Sequence, residues 1–91
     1  MNQLQARVHR FNEDHGWLRY HDQQNLVLAM CEELGELAKL VAWKRQCSVE
    51  ELGFELADLL IYALSFASCI GLDADAIVTE KLAINATRFP R

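Results

Sequence analysis

No proline interrupts this chain before Pro90, one residue from its end. Proline inside a helix removes a backbone hydrogen bond and clashes with the preceding turn, so its absence leaves long helices open along nearly the whole length. No stretch alternates polar and apolar residues as a half-buried strand does; apolar residues recur instead at three- and four-residue intervals. An all-α chain of four helices in a bundle-like arrangement is expected.

The first helix is expected from about Asn2 to Glu13, with Leu4, Val8 and Phe11 on one stripe and a stop near Gly16. Trp17 to Asp22 form an aromatic, histidine-bearing connection. A second helix follows from roughly Gln23 to Lys44, striped by Leu26, Met30, Leu34, Leu37 and Val41. Ser48-Val-Glu-Glu51 has the form of a capping box, in which hydroxyl and carboxylate satisfy free amides of the first turn. The third helix should begin there and end at Gly71, a left-handed stop. Asp73 is expected to cap a fourth helix, from Ala74 to about Thr87, with Ile77, Leu82 and Ile84 on its apolar face.

At 91 residues the chain is one small domain, expected over positions 1–91. A hydrophobic share of 52% is generous for that size, and from Leu56 onward the third helix is apolar nearly all round. Both features suggest a core within the chain and a second apolar face turned toward another subunit. The net charge of -4 and the lack of a basic run speak against nucleic acid as a partner. The three cysteines, Cys31, Cys47 and Cys69, match no zinc spacing; as small buried hydrophobes they suit a reducing cytoplasm. The N-terminal residues carry no apolar signal core, and no membrane span is expected. The most hydrophobic window, Leu59 to Ile70, falls well short of the ~20 residues that cross a bilayer.

Two acidic pairs stand inside this apolar background. Glu33 and Glu36 lie three residues apart in the second helix, as do Glu55 and Asp58 in the third, so each pair shares a helix face. Packed side by side, the helices could bring four carboxylates to one point. Like charges so close repel and raise one another's pKa, a conflict that a divalent cation resolves. Oxygen-only ligands favour Mg²⁺ or Mn²⁺ over zinc. Against this, a single Glu-x-x-Glu is commonly a solvated helix face. Two such pairs on consecutive helices shift the balance toward a metal site.

Lys81, Asn85 and Arg88 follow at steps of four and three and share a face of the fourth helix. They would suit a polyphosphate, although cations near a helix C-terminus are favoured in any case. Trp43 closes the second helix, while Trp17, Tyr20 and His21 precede it; these rings could stack on a base or simply fill the core.

Asn25-Leu-Val-Leu-Ala-Met-Cys-Glu-Glu-Leu-Gly-Glu-Leu-Ala, Trp43, Glu55-Leu-Ala-Asp-Leu-Leu-Ile-Tyr and Lys81-Leu-Ala-Ile-Asn-Ala-Thr-Arg-Phe-Pro together resemble the MazG-like all-α nucleoside triphosphate pyrophosphohydrolases. Within that family the pattern is most similar to the single-domain dCTP pyrophosphatase-like branch, and the likeness covers about Tyr20 to Pro90. The resemblance implies cleavage between the α and β phosphates of a nucleoside triphosphate, giving the monophosphate and pyrophosphate. It implies Mg²⁺ on Glu33, Glu36, Glu55 and Asp58, a phosphate tail held by Lys81, Asn85 and Arg88, and a base near Trp43 and His21. It further implies a homodimer or homotetramer with sites at or near subunit contacts, and a role in cleansing nucleotide pools.

On this footing Glu36 is expected to act as the base that activates water. The sequence stops at Arg91, just past Arg-Phe-Pro, so broader base selectivity is expected if relatives close their pocket with a C-terminal tail. Two rivals remain: a non-catalytic helical module that oligomerises or binds a nucleotide, and a phosphoribosyl-ATP pyrophosphohydrolase of the same fold.

Overall fold

A computed structural model describes residues 2–43 and 46–90. Lys44, the expected end of the second helix, and Arg91 lie outside the described residues. Four α-helices make up the chain: α1 (Gln3–Asp14), α2 (Gln23–Trp43), α3 (Val49–Cys69) and α4 (Ala74–Arg88). A 3-10 turn, Leu18–Tyr20, joins the first two, and there is no strand among the described residues.

Local chemistry sets each boundary. Asn2 caps α1, its side chain accepting from the Gln5 amide at 2.7 Å. Gly16, at φ +69°, turns the chain out of that helix in the left-handed conformation that a side chain disfavours. Asp22 accepts from the Asn25 amide at the start of α2, and the Asn25 side chain donates back to the Tyr20 carbonyl. The capping box at Ser48 and Glu51 opens α3 as expected. Gly71, at φ +76°, follows its end. Asp73 caps α4 by accepting from the Ala76 amide, and that bond holds its carboxyl below the usual carboxylate range.

α2 packs along α3, α1 lies on another part of α3, and α4 meets the rest only sparsely. Leu26 and Ala67 are the buried apolar residues among those described. The α1 stripe departs from expectation: Leu4 and Phe11 are half exposed, while Gln5 and Asn12 are buried. A polar seam explains the turn of the helix. The Gln5 amide donates to Ser68 Oγ and to the Leu72 carbonyl and accepts from the Ala74 amide, and Asn12 donates to Ser65 Oγ at 2.8 Å. With these partners the two amides enter the interior at little cost. The apolar stripe is left to line a cleft. The cysteines also depart from expectation, since Cys31 and Cys69 are exposed and Cys47 is intermediate.

The chain exposes 7271 Å², against about 5,400 Å² for a compact monomer of 10.4 kDa. Its radius of gyration is 15.3 Å, where a domain of this length averages about 12 Å. Much of the excess is apolar: Leu34, Val41, Leu60, Val78 and Leu82 are all half exposed or more. By length and composition alone, α3 is also long and apolar enough to cross a membrane.

Candidate active site

The pairing of α2 with α3 brings Glu33 against Glu55 and Asp58, with one oxygen of each within 4.8 Å of the others. Glu55 and Asp58 share a face of α3 one turn apart, and Glu33 comes from the facing helix. The Glu33 carboxyl is pushed above its usual pKa. Loss of solvent is the first cause, followed by the charges of Asp58, Glu55 and Glu32 and by a hydrogen bond with Glu55. Three carboxylate oxygens on two packed helices form a donor set of the hard type that Mg²⁺ and Mn²⁺ take.

Glu36 lies outside this trio. It is exposed on α2, and its Oε1 stands 3.7 Å from the Lys39 ammonium one turn on. Of the four expected metal ligands, the structure therefore gathers three and leaves the fourth in a solvent-facing ion pair.

Beside the cluster, between α1 and α3, opens a cleft of about 920 Å³ with Asp58 on its wall. Phe11, Trp17, Ile61 and Tyr62 give it a largely apolar and aromatic lining. The rings brace one another: Phe11 stacks on His15 at 4.1 Å and meets Trp17 edge-on at 5.6 Å. His21 also lines the cleft, and its Nδ1 is buried without a hydrogen-bond partner. Burial lowers its pKa and favours the neutral imidazole. Its backbone is tied down as well, because Cys69 Sγ donates to the His21 carbonyl at 3.3 Å.

The remaining expected residues stand elsewhere. Trp43, at the end of α2, is 84% exposed and is not part of the cleft lining. Lys81 and Asn85 line a separate shallow recess with Ile77, Val78 and Leu82 of α4. The Arg88 guanidinium lies over the Phe89 ring, 5.4 Å from its centre. Tyr62 was not singled out from the sequence, yet the signal was present: it follows Asp58 by four residues and so shares the acidic face of α3. Phe11 gave no such sign, because its place depends on the polar seam that rotates α1.

Three comparisons bear on this arrangement. The family model for the MazG nucleotide pyrophosphohydrolase domain matches residues 21–90. The chain is 34% identical over 95 residues to dCTP pyrophosphatase 1 of Homo sapiens, and 33% identical over 95 residues to that of Rattus norvegicus. Each alignment takes in 92% of this chain but only 56% of the relative, so the chain spans little more than half their length. A crystal structure of a pyrophosphatase from Archaeoglobus fulgidus superposes with a TM-score of 0.80 at 28% identity, over 98% of this chain and 91% of that one.

Proposed function

The chain belongs to the MazG nucleotide pyrophosphohydrolase family, and from that premise we propose that it hydrolyses a nucleoside triphosphate between the α and β phosphates, releasing the monophosphate and pyrophosphate. The observation that carries this reading is the convergence of Glu33, Glu55 and Asp58 within 4.8 Å beside an aromatic cleft large enough for a nucleoside. The relatives are named for dCTP, which makes a cytosine nucleotide the first substrate to try.

Glu33, Glu55 and Asp58 would hold the divalent cation, Mg²⁺ or in its place Mn²⁺. When bound, the cation neutralises triphosphate charge and makes a coordinated water a better nucleophile. Glu36 joins the site by turning away from Lys39; a solvent-exposed ion pair of that kind is worth less than ~1 kcal/mol, so little opposes the turn. There Glu36 accepts the proton of the attacking water. Phe11, Trp17 and Tyr62 sandwich the base, and neutral His21 offers a hydrogen-bonding nitrogen beside it.

Lys81, Asn85 and Arg88 hold the leaving pyrophosphate, lysine as a point charge and arginine as a two-pronged donor. On α4 they stand apart from the acidic cluster, and a homodimer or homotetramer would supply the contact that brings such a helix to a site and would bring Trp43 under cover. The 7271 Å² of exposed surface supports an assembly of that kind. α3 is read as a bundle helix and not a membrane span, because Glu55 and Asp58 lie within it and a carboxylate at the bilayer centre costs roughly 2.5–3.5 kcal/mol. With three free thiols the chain suits the cytoplasm, and pool cleansing is the role such an enzyme would serve there.

Pyrophosphate release from a panel of triphosphates and phosphoribosyl-ATP, with Mg²⁺, Mn²⁺ or chelator, tests the reading. Metal-dependent release that collapses in Glu55→Gln is expected. Cleavage of phosphoribosyl-ATP alone would move the activity to its rival, and nucleotide binding without any release would make the chain a binding module.

A further inference from the structure

The lining of the cleft includes three charged residues that the reading above leaves unused. Arg7, Arg10 and Asp14 of α1 stand at steps of three and four, so they share one face of the helix, and all three line the cleft. None makes an ion pair or hydrogen bond through its side chain among the described residues. Arg10 and Asp14 are spaced i and i+4, where opposite charges commonly meet across a turn, yet they are left apart. α1 also lies outside residues 21–90, the stretch that the family model matches.

The chemistry of the three groups is complementary. A guanidinium only donates hydrogen bonds, and an ionised carboxylate only accepts them. The face therefore offers donors at Arg7 and Arg10 and an acceptor at Asp14. Cytosine presents the matching edge, with acceptors at O2 and N3 and a donor in its amino group. Uracil has the same size and shape but reverses the last two, with a donor at N3 and an acceptor at O4. The aromatic walls stack either base equally well, so discrimination between them rests on polar groups.

We propose that Arg10 and Asp14 read the edge of the base and make the cleft select cytosine over uracil, with Arg7 as a further donor one turn back. This rests on the reading of the cleft as the base site. Two readouts separate the claims: pyrophosphate release from dCTP and dUTP with Mg²⁺, and calorimetric binding of dCMP and dUMP, each for wild type, Asp14→Asn and Arg10→Ala.

Wild type favours the cytosine nucleotide. Asp14→Asn replaces an acceptor with a group that can donate to uracil O4, and lowers the cytosine-to-uracil ratio by about tenfold to a hundredfold in both readouts. Arg10→Ala lowers the same ratio by weakening the cytosine nucleotide more. Both side chains are exposed, so the variants keep the wild-type fold, which a melting curve verifies. Equal losses for both bases, or an unmoved ratio with release intact, overturn the inference and leave the hydrolase reading standing. A shifted binding ratio without release of pyrophosphate upholds the edge reading and removes hydrolysis. A wild type that neither cleaves nor binds removes both.

Discussion

Two halves of the proposed site are built in opposite ways. Glu33, Glu55 and Asp58 stand on α2 and α3, helices packed along one another, and their positions are fixed relative to a common core. Lys81, Asn85 and Arg88 stand on α4, which is latched mainly at its first turn: Asn2 donates to Asp73 at 2.9 Å, and the Ala74 amide donates to Gln5 at 2.7 Å. Beyond that turn Val78, Leu82 and Ile84 are half exposed. A metal centre needs ligands held on rigid elements, and in the proposed site the helices that carry these three carboxylates are set by packing within the chain. The helix proposed to hold the phosphates is free to take its final position from whatever covers its apolar side.

The sharpest break in that comparison is Glu55→Gln. It should cut metal-dependent release by about a thousandfold, a loss of ~4 kcal/mol in transition-state stabilisation. The metal-free protein should melt no lower than wild type, because one charge has left the cluster. A large drop in apo melting temperature would instead make the carboxylates structural. Next is Leu26→Ala, which empties the best-buried apolar position and is expected to cost roughly 3 kcal/mol in chemical unfolding. It loosens the carboxylate half and therefore weakens metal binding along with stability.

Gln5→Leu acts on the other half. It strips partners from the Ala74 amide and the Leu72 carbonyl, with an expected cost of about 2 kcal/mol. Amide exchange should rise in the first turn of α4 while Mg²⁺ affinity holds; loss of Mg²⁺ affinity would show that the halves are coupled. Lys81→Ala is a smaller change, raising KM for the triphosphate about tenfold through one lost charge-assisted contact and leaving the melting temperature unaltered.

The mildest effect is on pH dependence. The Glu33 pKa is raised in the fold above its ordinary 4.5. Below that value both folded and unfolded states are protonated, and the contribution to stability is fully present. As the pH climbs through the raised value, the unfolded state has already ionised and the contribution is lost. Metal-free melting temperatures should fall slightly over that range, and saturating Mg²⁺, which favours the ionised ligands, should reverse the trend. A flat metal-free profile would mean that the carboxylates do not crowd one another in solution.

Most helix boundaries were legible because they are local. Asn2, Ser48 with Glu51, and Asp73 act on amides three residues away, and Gly16 and Gly71 adopt a conformation set by their own lack of a side chain. The acidic pairs were legible for the same reason, since a spacing of three fixes a shared face. The polar seam was not. Leu4, Val8 and Phe11 form a credible buried stripe until Ser65 and Ser68 are seen to satisfy Asn12 and Gln5, and those partners lie 53 and 63 residues away. The fate of Glu36 was equally hidden, because helical spacing places its backbone but does not decide whether its flexible side chain pairs with Lys39 or joins the carboxylates that repel it.

The sequence by itself therefore determined that this chain is helical, to within a residue or so where most of its helices begin and end, and that two of them carry paired carboxylates. Only the tertiary structure decided that three of those carboxylates meet, that α1 turns its apolar stripe into an aromatic cleft, and that Arg7, Arg10 and Asp14 face the same space. The reason is range. Caps and i, i+3 spacings are settled within one turn of backbone, whereas the rotation of a helix about its axis is settled by whichever distant groups can satisfy what it buries.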